Sequence, residues 1–216
     1  MEVQATGDLE REILVVKREC LFQNHTFQGF KPASFAHFES IVLENVEWMP
    51  RRLAETNSNY KQPIAYVTVV NPRQEKVFVY QRAGKGTEKR LRGNWSWGVG
   101  GHIERKDDGK SKNPIVTSAV RELYEEVEVT LDGGLELLGY INDDSALVHA
   151  VHFGVLYAAA TSMQAVSPKG DEFSHGKLMD VGDLERICAS PDAGVDKWSR
   201  IALGPIKNYL AEKRAQ

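Results

Sequence analysis

The stretch Arg121-Glu122-Leu123-Tyr124-Glu125-Glu126 constrains this chain more than any other. It closes an apolar-periodic run that starts at Pro114, in which Ile115, Ala119, Leu123 and Val127 recur every fourth residue. That period predicts a helix with one buried stripe, because residues three and four apart share a face. The same rule stacks Glu122, Glu125 and Glu126 on a different side. Like charges at this spacing are mildly destabilising, so a cation should offset them. Two readings follow. Acidic helix faces are common and most are simply solvated. Clustered carboxylate oxygens also suit a hard divalent ion such as Mg2+. The six residues alone do not decide between them.

The segments upstream sharpen the choice. Pro63 to Val70 and Glu75 to Gln81 are β-rich runs separated by the turn Asn71-Pro72-Arg73-Gln74, which predicts a hairpin. Ala83 to Arg92 is glycine-rich and basic, with Lys85, Lys89, Arg90 and Arg92. It could meet phosphates or simply be solvated. A short strand is expected through Trp97-Gly98-Val99, ending in Gly100-Gly101. Glycines there permit a tight turn and a close approach of the backbone to a ligand or ion. Arg105 to Asn113 reads as a charged loop. Asn113 is the expected N-cap of the helix, and Pro114 suits its first turn.

Elsewhere the pattern predicts a strand over Glu12–Lys17 and an aromatic-rich loop over Cys20–Phe30. That loop reads most simply as a satellite apolar cluster. Ser34 is the expected cap of a helix through Phe35, Phe38, Ile41 and Val42, which either extends through Glu44–Arg52 or breaks at Pro50. Strands are expected over Leu135–Ile141 and Leu147–Ala160, joined by the turn Asn142–Ser145. Ser167–Gly170 reads as a loop, Glu172–Val181 as irregular or strand, Leu184–Ala189 as a short helix and Asp196–Arg214 as a longer one. The order of elements predicts an α/β (α+β) sandwich with a mixed sheet and helices on its faces.

Composition excludes several classes. The formal net charge of -3 gives no electrostatic case for nucleic acid as the primary partner. No run approaches the length of a membrane span. The first eight residues are polar and acidic, unlike a signal peptide. Cys20 and Cys188 are far apart and predict neither a disulfide framework nor a metal pair. A cytoplasmic protein is the natural expectation.

Gly100-Gly101-His102-Ile103-Glu104 followed by Arg121-Glu122-Leu123-Tyr124-Glu125-Glu126-Val127 resembles the Nudix box of the Nudix (MutT-type) hydrolases. The match holds at Gly101, Arg121, Glu122, Leu123, Glu125, Glu126 and Val129. The flanks Tyr80-Gln81-Arg82 and Asn94-Trp95-Ser96-Trp97 also resemble what precedes the box in many members. The resemblance covers roughly residues 60–190. It implies a Nudix-like α/β/α sandwich over residues 61–216, with the catalytic helix after a Gly-Gly loop. Residues 1–60 are then an N-terminal extension (strand plus helix) packing on the core. Two departures stand out. The loop between Gly101 and Arg121 is six residues longer than the family's spacing, so Glu104, Asp107 and Asp108 compete for the box's first acidic place. Glu128 replaces the family's glycine, which predicts a different exit and one more residue of helix.

The resemblance implies Mg2+-dependent hydrolysis (Mn2+ being an alternative) of a diphosphate bond in a nucleoside diphosphate derivative or related organic pyrophosphate. Glu122, Glu125 and Glu126 would hold the metal, with the carbonyl of Gly101 or Gly100 as a further ligand. Arg121 would orient a neighbouring carboxylate. The general base would be Glu122 or Glu172. Arg82, Trp95 and Glu104 are placed where substrate contacts are expected, and Tyr80, Trp95 and Trp97 could stack a base or belong to the core. Asp143 and Asp144 read as turn formers, and His102 and His175 carry no assigned chemistry. Phe22, Phe27 and Phe30 could cover the site or pack a homodimer. The partner is a small-molecule diphosphate, not a membrane. Two alternatives differ in class. A non-catalytic Nudix-like binding module would usually have lost a metal carboxylate. An isopentenyl-diphosphate isomerase needs a cysteine shortly before the box, and neither cysteine is there.

Overall fold

The computed structural model describes residues 8–23, 25–83, 93–146, 150–170, 173–190 and 193–215. In chain order the elements are β1 (Glu12–Lys17), α1 (Arg18–Phe22), β2 (Gly29–Pro32), a 3-10 turn (Ala33–Phe35), α2 (Phe38–Glu44), β3 (Glu47–Pro50), α3 (Arg51–Ala54), β4 (Tyr60–Asn71), β5 (Lys76–Arg82) and β6 (Trp95–Ser96). A second 3-10 turn (Arg105–Asp107) precedes α4 (Pro114–Glu126), β7 (Val127–Glu128), β8 (Leu135–Asn142), β9 (His152–Ala160), β10 (Ser167–Pro168), β11 (Phe173–Asp180), α5 (Val181–Ala189) and α6 (Lys197–Arg214). The principal sheet runs β11-β5-β4-β9-β8-β2. Its β4 and β9 are parallel: the Gln62 amide donates to the Val151 carbonyl, and the Thr161 amide donates to the Val70 carbonyl. The other described ladders are antiparallel, so the sheet is mixed and the fold is α/β.

Two compact units divide the chain, residues 1–66, 100–120 and 139–156 in one, and 67–99, 121–138 and 157–216 in the other. The boundary falls within β4, α4, β8 and β9. In the first unit, β1 pairs with β3 through Glu12↔Pro50 to Val15↔Glu47, and with β4 through Val16↔Lys61. The four-residue apolar run Ile13–Val16 is buried throughout, as a strand covered on both sides must be. Phe22, Phe27, Phe38, Tyr140 and Phe153 pack as an aromatic cluster with ring centroids 5.2–6.2 Å apart. Mixed edge and offset geometries of this kind add to the area they bury. In the second unit, β11, β5 and β4 form consecutive antiparallel pairs. Helix α6 starts at Asp196, whose carboxylate accepts the Ser199 amide, and it buries Trp198, Ala202, Leu203, Ile206, Tyr209 and Leu210.

Several expectations are corrected. Of the segment Cys20–Phe30, residues 20–22 end α1 and Gly29-Phe30 start β2, so it is not one loop. Its aromatics Phe22 and Phe27 pack inward, which leaves them unavailable as a cover. Ser34 lies inside a 3-10 turn, and α2 begins after His37 with no side-chain cap. Glu47–Pro50 is a strand, not a helix extension, because pairing with β1 outweighs its local preference. The strand near the tryptophans is Trp95–Ser96, with Val99 making only an isolated bridge to Val67. The strand expected from Leu147 begins at His152, residues 147–149 lying outside the described residues, as does the basic segment 84–92.

Candidate functional site

Helix α4 is built as its sequence requires. The Asn113 side-chain carbonyl accepts the Ile115 amide at 3.0 Å and the Val116 amide at 3.3 Å. These are two of the donors that a helix start leaves without intrahelical partners. Ile115, Ala119, Leu123 and Val127 are all fully buried. Burying that stripe fixes the rotation of the helix and sets Glu122, Glu125 and Glu126 off it. Arg121 donates to Glu122 Oε1 at 2.7 Å and to Glu125 Oε2 at 3.3 Å. The guanidinium therefore spans two of the three carboxylates and fixes their rotamers. The Glu125 side chain is 55 % exposed and that of Glu122 14 %, so one carboxylate faces solvent beside another that is sheltered.

The helix does not gain an extra residue at Glu128. It ends at Glu126, and Val127–Glu128 becomes β7, paired with Ser167–Pro168. The Lys169 amide donates to the Glu126 carbonyl at 2.7 Å, and its ammonium to the Tyr124 carbonyl at 2.9 Å. A cation on the last carbonyls suits the negative end of a helix. A glycine is unnecessary here because a strand, not a left-handed turn, carries the chain away.

The other expected residues distribute as follows. Arg82 ends β5, where its amide donates to the Asn94 carbonyl at 3.2 Å. Trp95 pairs with Gln81 on β6 and is half-buried. Both belong to the same unit as Arg121–Glu126. Gly101 and Glu104 belong to the other unit. Glu104 is engaged structurally: it forms a reciprocal cap with the buried Asp107 and an ion pair with Arg11 at 3.1 Å. Tyr80 and Trp97 are core residues, 1 % and 0 % exposed. The Tyr80 hydroxyl donates to the Gly98 carbonyl at 2.6 Å, its ring stacks on Phe173, and burial pushes its pKa up to about 12. Glu172 lies outside the described residues. Gly100 serves close packing: a Cβ there would sit 1.8 Å from the Ala65 carbonyl oxygen on β4.

Two constellations in the first unit were not legible in the sequence. Asp144 is no mere turn former. It accepts hydrogen bonds from Lys61 at 2.7 Å and Gln28 at 3.2 Å and pairs with Arg18. Lys61 is fully buried. Glu55, His102 and His152 converge as well, one potential ligand atom from each lying within 4.8 Å of the others. Burial, with Arg51 and His152 nearby, holds the His102 imidazole well below its ordinary pKa, so the ring is neutral at pH 7. These three residues are far apart in the chain, and their spacing carries no motif.

A mixed α/β sheet, a Gly-Gly pair and a helix that displays an arginine-clamped set of glutamates define a recognisable class. The NUDIX domain family model matches residues 60–198. Protein YmaB of Bacillus subtilis (strain 168) is 33 % identical over 188 residues, spanning 83 % of this chain and 90 % of YmaB. The crystal structure of Tm1382, provisionally described as a Nudix hydrolase, superposes with a TM-score of 0.75 at 28 % identity, covering 92 % of this chain and 99 % of Tm1382. A NUDIX hydrolase from Alicyclobacillus acidocaldarius shares the fold at 13 % identity, with a TM-score of 0.53 over 68 % of this chain and 91 % of its own. The chain belongs to the Nudix hydrolase family.

Proposed function

We propose that this protein hydrolyses a diphosphate bond in a nucleoside diphosphate derivative or related organic pyrophosphate, using Mg2+ or Mn2+. The observation that carries the reading is the set Glu122, Glu125 and Glu126 on α4, with Arg121 bonded to two of them. Three carboxylates on one helix are the oxygen donor set that a hard divalent ion takes, and the carbonyl of Gly101 is a further candidate ligand. A bound ion there would neutralise charge on the diphosphate and lower the pKa of an attacking water. The part of the chain itself is positioning. Arg121 holds the Glu122 and Glu125 carboxylates in place, as an outer-shell partner does. The burial of Leu123 and Val127 holds the helix. Glu122 or Glu172 acts as general base, and Arg82 and Trp95 contact the substrate. Residues 1–60 act as an extension of the catalytic domain. Retention of all three carboxylates argues against a purely binding module.

The test is a panel of nucleoside diphosphate derivatives incubated with the full chain and Mg2+ or Mn2+, reading phosphate release after phosphatase coupling. Turnover that E125Q and E126Q both reduce by about a hundredfold or more supports the assignment, since losing transition-state charge stabilisation costs on that scale. Turnover indifferent to both substitutions rejects it. Metal-independent nucleotide binding without turnover across the panel would instead favour the binding module.

A further inference from the structure

We infer that Glu55, His102 and His152 form a second metal site, selective for a borderline divalent transition ion of the zinc class and separate in its ligands from the α4 carboxylates. The donor set decides the ion. Two imidazoles and one carboxylate suit Zn2+, Co2+ or Fe2+, whereas Mg2+ takes oxygen ligands and keeps its waters. The carboxylates of α4 have the opposite preference, so one chain would hold two chemically distinct sites.

The backbone brings the three ligands together from separate directions. The Gln62 amide donates to the Val151 carbonyl at 2.7 Å, which sets the start of β9, and thus His152, beside β4. An antiparallel bridge between Ile64 and His102 holds the residue after Gly100-Gly101 against the same strand. Glu55 follows α3, its amide donating to the Arg51 carbonyl at 2.9 Å. The His102 Nε2 atom lies 3.8 Å from Glu55 Oε1, and His152 Nε2 lies 4.0 Å from Glu55 Oε2. The two imidazole centroids are 5.5 Å apart. Neighbouring ligands of a tetrahedral zinc lie about 3.4 Å apart, given metal–nitrogen bonds of about 2.1 Å. The three ligand atoms lie within 4.8 Å of one another, so side-chain rotations of about an ångström would bring them onto one ion, with a fourth position left for another oxygen. All three side chains are sheltered, with 14 %, 14 % and 29 % exposure for His102, His152 and Glu55.

A fourth ligand atom, an oxygen, lies beside these three. Gln62 is fully buried and aims its Oε1 at His102 Nε2, 2.7 Å away, while its own Nε2 finds no hydrogen-bond partner among the described residues. The unpartnered Nε2 is a donor that a cation does not satisfy; what bears on a metal is the Gln62 Oε1 atom, a buried oxygen beside the two imidazoles and the carboxylate. Here His102 Nε2 carries the proton that Gln62 Oε1 accepts. With an ion bound, His102 takes its proton on Nδ1, its Nε2 lone pair ligates, and Gln62 Oε1 stands beside the ion as an additional oxygen. Arg51 donates to Glu55 Oε1 at 3.1 Å and pairs with Asp8 at 2.6 Å, so it orients the carboxylate from outside the shell. The role is structural. Glu55 comes from the segment before residue 60, His102 from the residue after Gly100-Gly101 and His152 from the start of β9, and one ion would tie the three together.

The full chain is stripped of metal and titrated with Co2+, followed by its visible ligand-field absorption, then displaced with Zn2+. One Co2+ per chain with intense tetrahedral absorption is expected, displaced by Zn2+ and not by millimolar Mg2+, whereas Co2+ on the α4 carboxylates would be six-coordinate and add only weak absorption. Thermal unfolding is expected at a higher temperature with Zn2+ than without. E55Q and H152N, each verified as folded by circular dichroism, should weaken Co2+ binding by about tenfold or more, a loss of at least the size that outer-shell changes produce. The double substitution E125Q/E126Q should leave it unchanged. Tetrahedral Co2+ absorption that survives both E55Q and H152N, or that E125Q/E126Q abolishes, or its absence in the folded wild type, overturns the site. None of these readouts uses turnover, so this outcome and that of the hydrolase assay are independent.

Discussion

Asp144 joins a buried cation, Lys61, to a partly exposed one, Arg18. Burial pushes its carboxyl up, but hydrogen bonds and charge from Arg18 and Lys61 outweigh burial and bring it down to about 2, from an ordinary 3.8. A depressed carboxylate stabilises the folded state above its unfolded value and loses that contribution as pH falls through its folded value. The wild type should therefore lose stability between about pH 4 and pH 2 through this group, and D144N should show a flatter acid limb in urea titrations. At pH 7, D144N should cost about 3 kcal/mol, because Lys61 is left buried without its counter-charge. The double substitution K61M/D144N should recover much of that loss, since neither partner then remains as a buried charge. Gly100 makes a second residue-scale test. In G100A the new methyl meets a backbone oxygen of β4, which cannot rotate away, so a loss of about 3 kcal/mol is expected by chemical denaturation. A change under about 1 kcal/mol would show that the Gly100–Ala65 contact is not held as described.

Helix α4 was the most legible element, because its start, stripe and acidic side are each written in local sequence. Pro114 after Asn113 marks the start, and a four-residue apolar repeat marks the buried face. N113A should cost about 1 kcal/mol and N113S should restore most of it, because serine also caps. Urea midpoints of the three proteins check this. If N113A matches the wild type, the bonds to Ile115 and Val116 contribute nothing. Elements whose identity depends on a distant partner were less legible. Glu47–Pro50 has no strong local signal and becomes a strand through pairing with β1. Val127–Glu128 leaves the helix because Ser167–Pro168 is there to pair with it. The same physics hides the Glu55–His102–His152 cluster. Each residue is unremarkable among its sequence neighbours: β4 lies against His102 and the start of β9, and Glu55 comes in from the end of α3. The α4 carboxylates were readable because one helix supplies all three.

At the scale of the whole molecule, the metal reading of α4 becomes a statement about global stability. A ligand that binds only the folded chain stabilises it by mass action, about 2.7 kcal/mol at a hundredfold excess over its Kd. For a chain of this length that corresponds to roughly 5–10 °C in Tm. Saturating Mg2+ should therefore raise the wild-type Tm by several degrees in calorimetry. E125Q isolates the effect, because the Glu125 side chain is largely exposed and its Arg121 contact is a surface pair. Its metal-free stability should lie within about 0.5 kcal/mol of wild type. If losing one carboxylate weakens Mg2+ tenfold, the stabilisation at the same Mg2+ concentration falls to about 1.4 kcal/mol. The two proteins should then unfold together without metal and separate as Mg2+ rises. The imidazole site does not confound this, because Mg2+ takes oxygen ligands. Equal Mg2+ shifts in both proteins would detach the ion from α4 even if turnover were observed, and no shift in either would leave its acidic side merely solvated.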